Sequence, residues 1–295
     1  MNKKLMSLTL AAALGLSLTA CGGNDAPAAD ETEESAAPEV VESAAPEGDA
    51  ALTADSDLAY IQDNGKLKVG YTLYEPMNYV NDEGVLVGFE TEFAQAVAEK
   101  LGVEAEFVEI NWDSKVMELN SKNVDCLWNG MTATDEIKEA LTVSDAYIRN
   151  YQVVVIRAAD ADKYTTTADL TGAKIDAEAG SAGEASIAAE ENLSQAEYTS
   201  VPKQTDALLE VKAGAADACV LDFVLANAMV GAGDYSDLMV IPDLQLSVEE
   251  YAVGFRKDSD AAAAANEAIQ LLIEEGKLQE LAETYGLSDL LLANQ

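Results

Sequence analysis

The chain contains no histidine, three cysteines, six prolines and, among 17 basic residues, only three arginines: Arg149, Arg157 and Arg256. Without imidazole, a His-based catalytic triad lacks its base and a zinc centre lacks its commonest ligand. Cys21, Cys126 and Cys219 are too few and too scattered for a disulfide framework or a thiolate metal site. Cys126 (VDCLW) and Cys219 (DACVL) sit in apolar runs and read as small core residues. No metal or cofactor is expected. The scarcity of positive charge is as restrictive: 17 Lys+Arg against 54 Asp+Glu give a net charge of -37, which argues against binding nucleic acid, whose phosphates need a basic surface. The plain reading of that charge is a solvated, solubilising surface.

The only long apolar run stands at the start. MNKK, then LMSLTLAAALGLSL, then Thr19-Ala20 reads as the basic, apolar and small-residue regions of a secretory signal, residues 1–20. Leu18-Thr19-Ala20-Cys21 resembles the bacterial lipobox, so Cys21 is expected to carry lipid and to anchor the protein on the extracytoplasmic face of the cell membrane. Residues 21–57 are rich in Ala, Pro, Glu and Ser. From Gly22 to Asp57 there are eleven acidic residues and no basic one, a composition that reads as a disordered tether. At roughly 3 Å per extended residue it reaches on the order of 100 Å.

From Leu58 strand and helix patterns alternate. Lys66–Gly70 and Val103–Ile110 read as strands. Phe89–Leu101 is a helix with its apolar residues at helical spacing, ending at Gly102. Trp112–Ser121 reads as a helix, Val124–Trp128 and Tyr151–Arg157 as strands. The alternation then restarts: Ala173–Glu178, the turn Gly180-Ser-Ala-Gly183, a strand at Val201, a helix over Asp206–Ala213, and a strand at Ala218–Leu221 ending in Asp222. Tyr251–Arg256 returns as a strand and residues 261–285 supply two amphipathic helices. Repeated βαβ units predict mostly parallel sheets with ligands at the C-terminal strand ends.

One stretch has chemistry of its own. In DCLWNGMTATDE, residues 125–136, an apolar strand breaks at Asn129-Gly130 and restarts as a helix for which Thr132 and Thr134 both offer cap hydroxyls. Such a turn presents N–H groups and hydroxyls to a polar or anionic ligand group.

These residues resemble the extracellular solute-binding proteins of bacterial ABC importers, in the polar-amino-acid group. The segments that carry the resemblance are LKVGYTLYEPMNYVNDEGVLVGFETEFAQAVAEKLG, NVDCLWNGMTATDE with SDAY, ADACVLD, and YAVGFRKDS with LLIEEGKLQELAETYG. The resemblance covers nearly all of residues 58–287. It implies an α/β, two-lobe fold of the periplasmic-binding-protein type II, with two hinge strands near 151–154 and 248–253 and a ligand cleft between lobes. Lobe 1 would be 58–152 plus 249–295, and lobe 2 153–248. It further implies a monomeric, non-enzymatic substrate-binding lipoprotein that captures a small polar ligand, of the amino-acid class, and delivers it to a membrane permease.

The residues expected at the ligand follow from the same resemblance. Tyr74 and Trp112 match aromatics that cover it, Asn129 a position that touches ligand side chains, and Gly130 and Thr132 the groups that take its α-amino and α-carboxylate ends. Ser181 and Ala182 match a helix start that binds a carboxylate, and Asp222 the partner of an α-ammonium. Glu178 is a further candidate. At Ile137 the family usually has an arginine that clamps the α-carboxylate, and Arg149 is the one arginine near enough in sequence to replace it. Losing that bond costs on the order of 1.5–3 kcal/mol, which brings forward a cationic ligand without a carboxylate. The same fold also serves sensors that signal without transport, and enzymes of the cyclohexadienyl-dehydratase kind.

Overall fold

The computed structural model describes residues 56–294. The signal, Cys21 and the tether through Asp55 lie outside the described residues.

In chain order the elements are α1 (Asp57–Asn64), β1 (Lys66–Tyr71), β2 (Tyr79–Val80), β3 (Leu86–Val87), α2 (Phe89–Lys100), β4 (Glu104–Glu109), α3 (Lys115–Asn120), β5 (Cys126–Leu127), α4 (Asp135–Ala140), β6 (Thr142–Val143) and β7 (Ile148–Arg157). There follow β8 (Lys174–Glu178), α5 (Ala182–Ala189), β9 (Glu197–Val201), α6 (Gln204–Ala213), β10 (Ala218–Asp222), α7 (Phe223–Met229), β11 (Leu238–Tyr251), β12 (Gly254–Phe255), α8 (Ala261–Glu274) and α9 (Lys277–Thr284). Two 5-stranded sheets result, ordered β4-β1-β5-β12-β6 and β11-β7-β10-β8-β9, beside a small β2-β3 ladder.

Both sheets are mixed, where βαβ reasoning alone led to mostly parallel ones. β4, β1 and β5 run parallel, but β12 enters antiparallel between β5 and β6. In the second sheet β10, β8 and β9 run parallel while β7 is antiparallel to both its neighbours, β10 and β11. The reason is the route of the chain. β7 leaves the first sheet and β11 comes back to it, paired from Ile148 opposite Tyr251 to Arg157 opposite Leu238. Two strands that carry the chain in opposite directions along one path must be antiparallel. Their register slips between Val240 and Gln245 and again between Gln245 and Val248, so the pair is irregular midway.

Local sequence explains most elements. In α2, Phe89, Phe93, Ala94 and Val97 fall on one helical face and are wholly buried, and Gly102 beyond its end has φ 78, which suits a glycine. Phe93, Trp128 and Tyr147 pack edge to face around it, with ring centroids 5.0 and 5.4 Å from Phe93. The expected Trp112–Ser121 helix is split: Trp112–Ser114 is a 3-10 turn capped by Asn111, and α3 follows. The Val124–Trp128 strand is reduced to Cys126–Leu127, because the residues beyond turn away toward the cleft. Cys126 and Cys219 are buried free thiols.

Ser56 and Asp57, the first of the described residues, are bonded into the fold. The Ser56 side chain accepts the Ala59 N–H as the cap of α1 and bonds Asp260. Asp57 meets the Arg256 Nε at 2.8 Å, and the same guanidinium reaches Asp125 at 3.2 Å and the Val124 carbonyl at 2.9 Å.

Candidate functional site

The C-terminal ends of β5, β8 and β10 open on one cavity of about 310 Å³. On the side of the first sheet its wall includes Trp112, Lys115, Asn129, Gly130, Thr132 and Ile137. On the side of the second it includes Glu178, Ser181, Ala182, Gln204 and Asp222. Of the residues singled out from sequence, the structure therefore gathers Trp112, Asn129, Gly130, Thr132, Glu178, Ser181, Ala182 and Asp222 around one space. It adds Lys115 and Gln204.

The Asn129-Gly130 turn is held from below. Asn129 accepts the Thr72 N–H at 2.9 Å and donates to the Thr72 hydroxyl at 2.7 Å, so its amide secures the turn. Gly130 has φ 58, and a Cβ there would stand 2.6 Å from the Tyr74 ring, so only glycine fits. Its N–H is received by the carboxylate of Glu90, at 2.9 and 3.0 Å, and Glu90 also accepts from Asn78 and from the Tyr147 hydroxyl. Glu90 is wholly buried, and burial pushes its carboxyl up to about 7 against the opposing hydrogen bonds. Sequence reasoning missed it, although residues 90, 93, 94 and 97 share the apolar face of α2 at helical spacing.

Asp222 ends β10 where α7 begins. It stands at the cap position of that helix but makes no cap bond. Its carboxylate instead accepts from Asn150 and Gln152, each at 2.6 Å, and from Gln204. Asn150 and Gln152 also donate to Glu249, at 3.2 and 3.1 Å, so among the described residues two carboxylates share these amides with no cation between them. Burial, then the charge of Glu249, raises the Asp222 pKa. Thr132 donates to the same Glu249 at 3.0 Å; it is Thr134, not Thr132, that caps α4 by accepting the Ile137 N–H.

Glu178 lies at the end of β8 and is 3% exposed. One of its oxygens is buried without a hydrogen-bond partner among the described residues. Burial and the nearby Asp222 raise its carboxyl to about 8, with Lys115 opposing them. Lys115 itself lies over the Trp112 ring, 4.9 Å from its centroid, and donates to the Gly180 carbonyl at 2.8 Å and the Trp112 carbonyl at 3.3 Å. It thereby ties the two sides of the cavity together. At the helix start beside it Ser181 accepts the Glu184 N–H at 3.1 Å and Glu184 accepts the Gly180 N–H at 2.8 Å.

Two expected ligand contacts are absent from the cavity wall. Tyr74 is 2% exposed and sits behind Gly130, its hydroxyl bonded to that of Tyr251 at 2.7 Å, so it is a core residue beneath the site. Arg149 is exposed and does not replace the clamp. The cause is strand alternation: on β7, Asn150 and Gln152 face Asp222, which turns Arg149 to the other side. Ile137 lines the cavity where the clamp was expected. Among the described residues no group of acidic side chains and thiols is placed to hold a metal.

With this geometry known, comparison with characterised proteins is informative. A family model described as bacterial extracellular solute-binding proteins, family 3, matches residues 67–288. The L-cystine-binding protein TcyJ of Escherichia coli K12 is 29% identical over 230 residues, 77% of this chain and 85% of its own. An ABC-transporter substrate-binding protein from Streptococcus pneumoniae, solved with bound histidine, is 31% identical with a TM-score of 0.73, covering 81% of this chain and 100% of its own. The ancestral amino-acid-binding protein AncCDT-1, a precursor of cyclohexadienyl dehydratase, is 28% identical with a TM-score of 0.70, covering 78% and 98%.

Proposed function

We infer what this site does from one premise: the chain belongs to the bacterial extracellular solute-binding proteins, family 3. It is the extracytoplasmic binding component of an ABC importer. It closes on a small polar, ammonium-bearing solute, an amino acid or a cationic relative of one, and presents it to the membrane permease. The observation that carries this reading is the convergence of Trp112, Gly130 and Thr132 with Glu178, Ser181 and Asp222 on one cavity from two separate sheets. A ligand held from both sides is buried by hinge motion about β7 and β11. In this reading residues 58–152 plus 249–295 form one lobe and 153–248 the other. Cys21 carries the lipid, residues 21–55 lead from the membrane to the fold, and the protein acts as a monomer.

Asp222 is the seat of the ligand's ammonium. Its carboxylate is held by three amide side chains and, among the described residues, lacks a cation, an arrangement that a positively charged ligand completes. Native mass spectrometry of the mature protein purified without refolding tests the reading. A retained small cation, lost in Asp222→Asn, is expected. Absence of any ligand, together with no thermal shift across amino acids and amines at millimolar concentration, would refute it.

A second reading, a dehydratase-like enzyme on the same fold, is favoured by Glu178, whose carboxyl holds its proton near neutral pH inside the cavity. Incubation with prephenate or arogenate separates the two, since a binding protein leaves both unconverted.

A further inference from the structure

We propose that this site selects its ligand as an organic cation and lacks a charged clamp for an α-carboxylate, so that amines and guanidines bind in preference to their parent amino acids. The inference rests on the binding-protein reading and names the ligand class of the same cavity.

The arginine that would clamp a carboxylate is missing from the cavity wall among the described residues. Ile137, with Val116, Met131 and Ala140, makes an apolar wall where a clamp would stand, and among the described residues no arginine lines the cavity. Arg157 and Arg256 are committed elsewhere, to Asp160 and the Val211 and Ala216 carbonyls and to Asp57, Asp125 and the Val124 carbonyl. Lys115 is the one cation on the wall among the described residues. Two carbonyls accept two of the three N–H groups of its ammonium, and burial works against its charge while Glu178, Asp113 and Glu184 favour it. Beside the start of α5 the Glu184 carboxylate accepts the Gly180 N–H and places a negative charge that a second carboxylate would meet.

The opposite charge is in excess. Asp222 and Glu249 share amide donors and no cation, and Glu178 lies on the cavity wall at 3% exposure with one oxygen unpartnered among the described residues. A buried acceptor without a donor is costly, and a ligand N–H placed there removes that cost. Two acidic groups, Asp222 and Glu178, the latter giving up its proton when a cation docks against it, fit a ligand that presents cationic N–H groups in two directions, as a guanidinium or a diamine does. A carboxylate brought into the same space would meet Ile137 on one side and these acids on the other.

The test is calorimetric titration of the mature protein with matched pairs: agmatine and arginine, histamine and histidine, cystamine and cystine, cadaverine and lysine. At least one amine is expected to bind ten times or more tightly than its parent amino acid. Ile137→Arg, a change at a half-exposed helix position, is expected to reverse that order. Glu178→Gln, which keeps the shape, is expected to weaken the amine tenfold or more while weakening the amino acid less. Tighter binding of an amino acid than of its amine in every pair would overturn the inference and leave the binding-protein reading standing. No binding by any member of the panel would overturn both.

Discussion

Replacing Gly130 by alanine should destabilise the protein by about 2–5 kcal/mol, the sum of two independent costs. A left-handed backbone, here φ 58, costs a non-glycine residue roughly 1–2 kcal/mol. The new Cβ would also stand 2.6 Å from the Tyr74 ring and 3.1 Å from that of Tyr251, whose hydroxyls bond each other at 2.7 Å, and overpacking of this kind costs about 1–3 kcal/mol. Gly84 provides the control: its φ is 78 but nothing lies within 4 Å of an added Cβ, so Gly84→Ala should show the backbone cost alone. Urea unfolding monitored by Trp fluorescence measures both. A difference of less than about 1 kcal/mol between the two variants would refute the packing argument. Ligand affinity should fall only in Gly130→Ala, since that turn lines the cavity.

Three further outcomes are expected. Glu90, Glu178 and Asp222 have pKa values raised by burial, so in the folded state they bind protons that the unfolded chain has released. Their contribution is present at pH 4 and is lost as pH rises through about 7 for Glu90 and about 8 for Glu178, so the ligand-free melting temperature should fall between pH 5 and 8. Glu178→Gln should flatten that fall, and a melting temperature that rises over the interval would contradict the assignment. Cation binding favours the ionised carboxylates, so titrations near pH 7 in buffers of different ionisation enthalpy should reveal protons released on binding. Arg256→Met strands Asp125, 2% exposed, and should cost about 3–5 kcal/mol in urea unfolding, whereas Lys66→Met, removing an exposed pair, should change stability by less than about 1 kcal/mol.

The fold was largely legible from sequence because α2, α8 and α9 and the apolar strands carry their periodicity in a few residues. What periodicity does not carry is direction, so the antiparallel returns of β7, β11 and β12 were not foreseen. Within the site, residues fixed by local backbone chemistry were readable: Gly130 by its turn, Ser181 by its cap, Asp222 by its place after an apolar strand. Residues fixed by contacts distant in sequence were not. Lys115 reaches Gly180 across 65 positions and Glu90 reaches Gly130 across 40, and nothing adjacent to either announces the partner. Tyr74 and Arg149 failed for the opposite reason. Their sequence positions suit ligand contact, but the packing behind Gly130 and the alternation of β7 turn them elsewhere.

The junction at Ser56 and Asp57 has a mechanical consequence. Tension applied through the preceding chain enters the fold at a helix start pinned to Asp260 by Ser56 and to Arg256 by Asp57, beside β12 in the first sheet. Arg256 passes the load on to Asp125 and the Val124 carbonyl at the base of β5. The leading end of the described chain is thus tied to the first sheet, and these bonds of Ser56, Asp57 and Arg256 involve neither β7 nor β11.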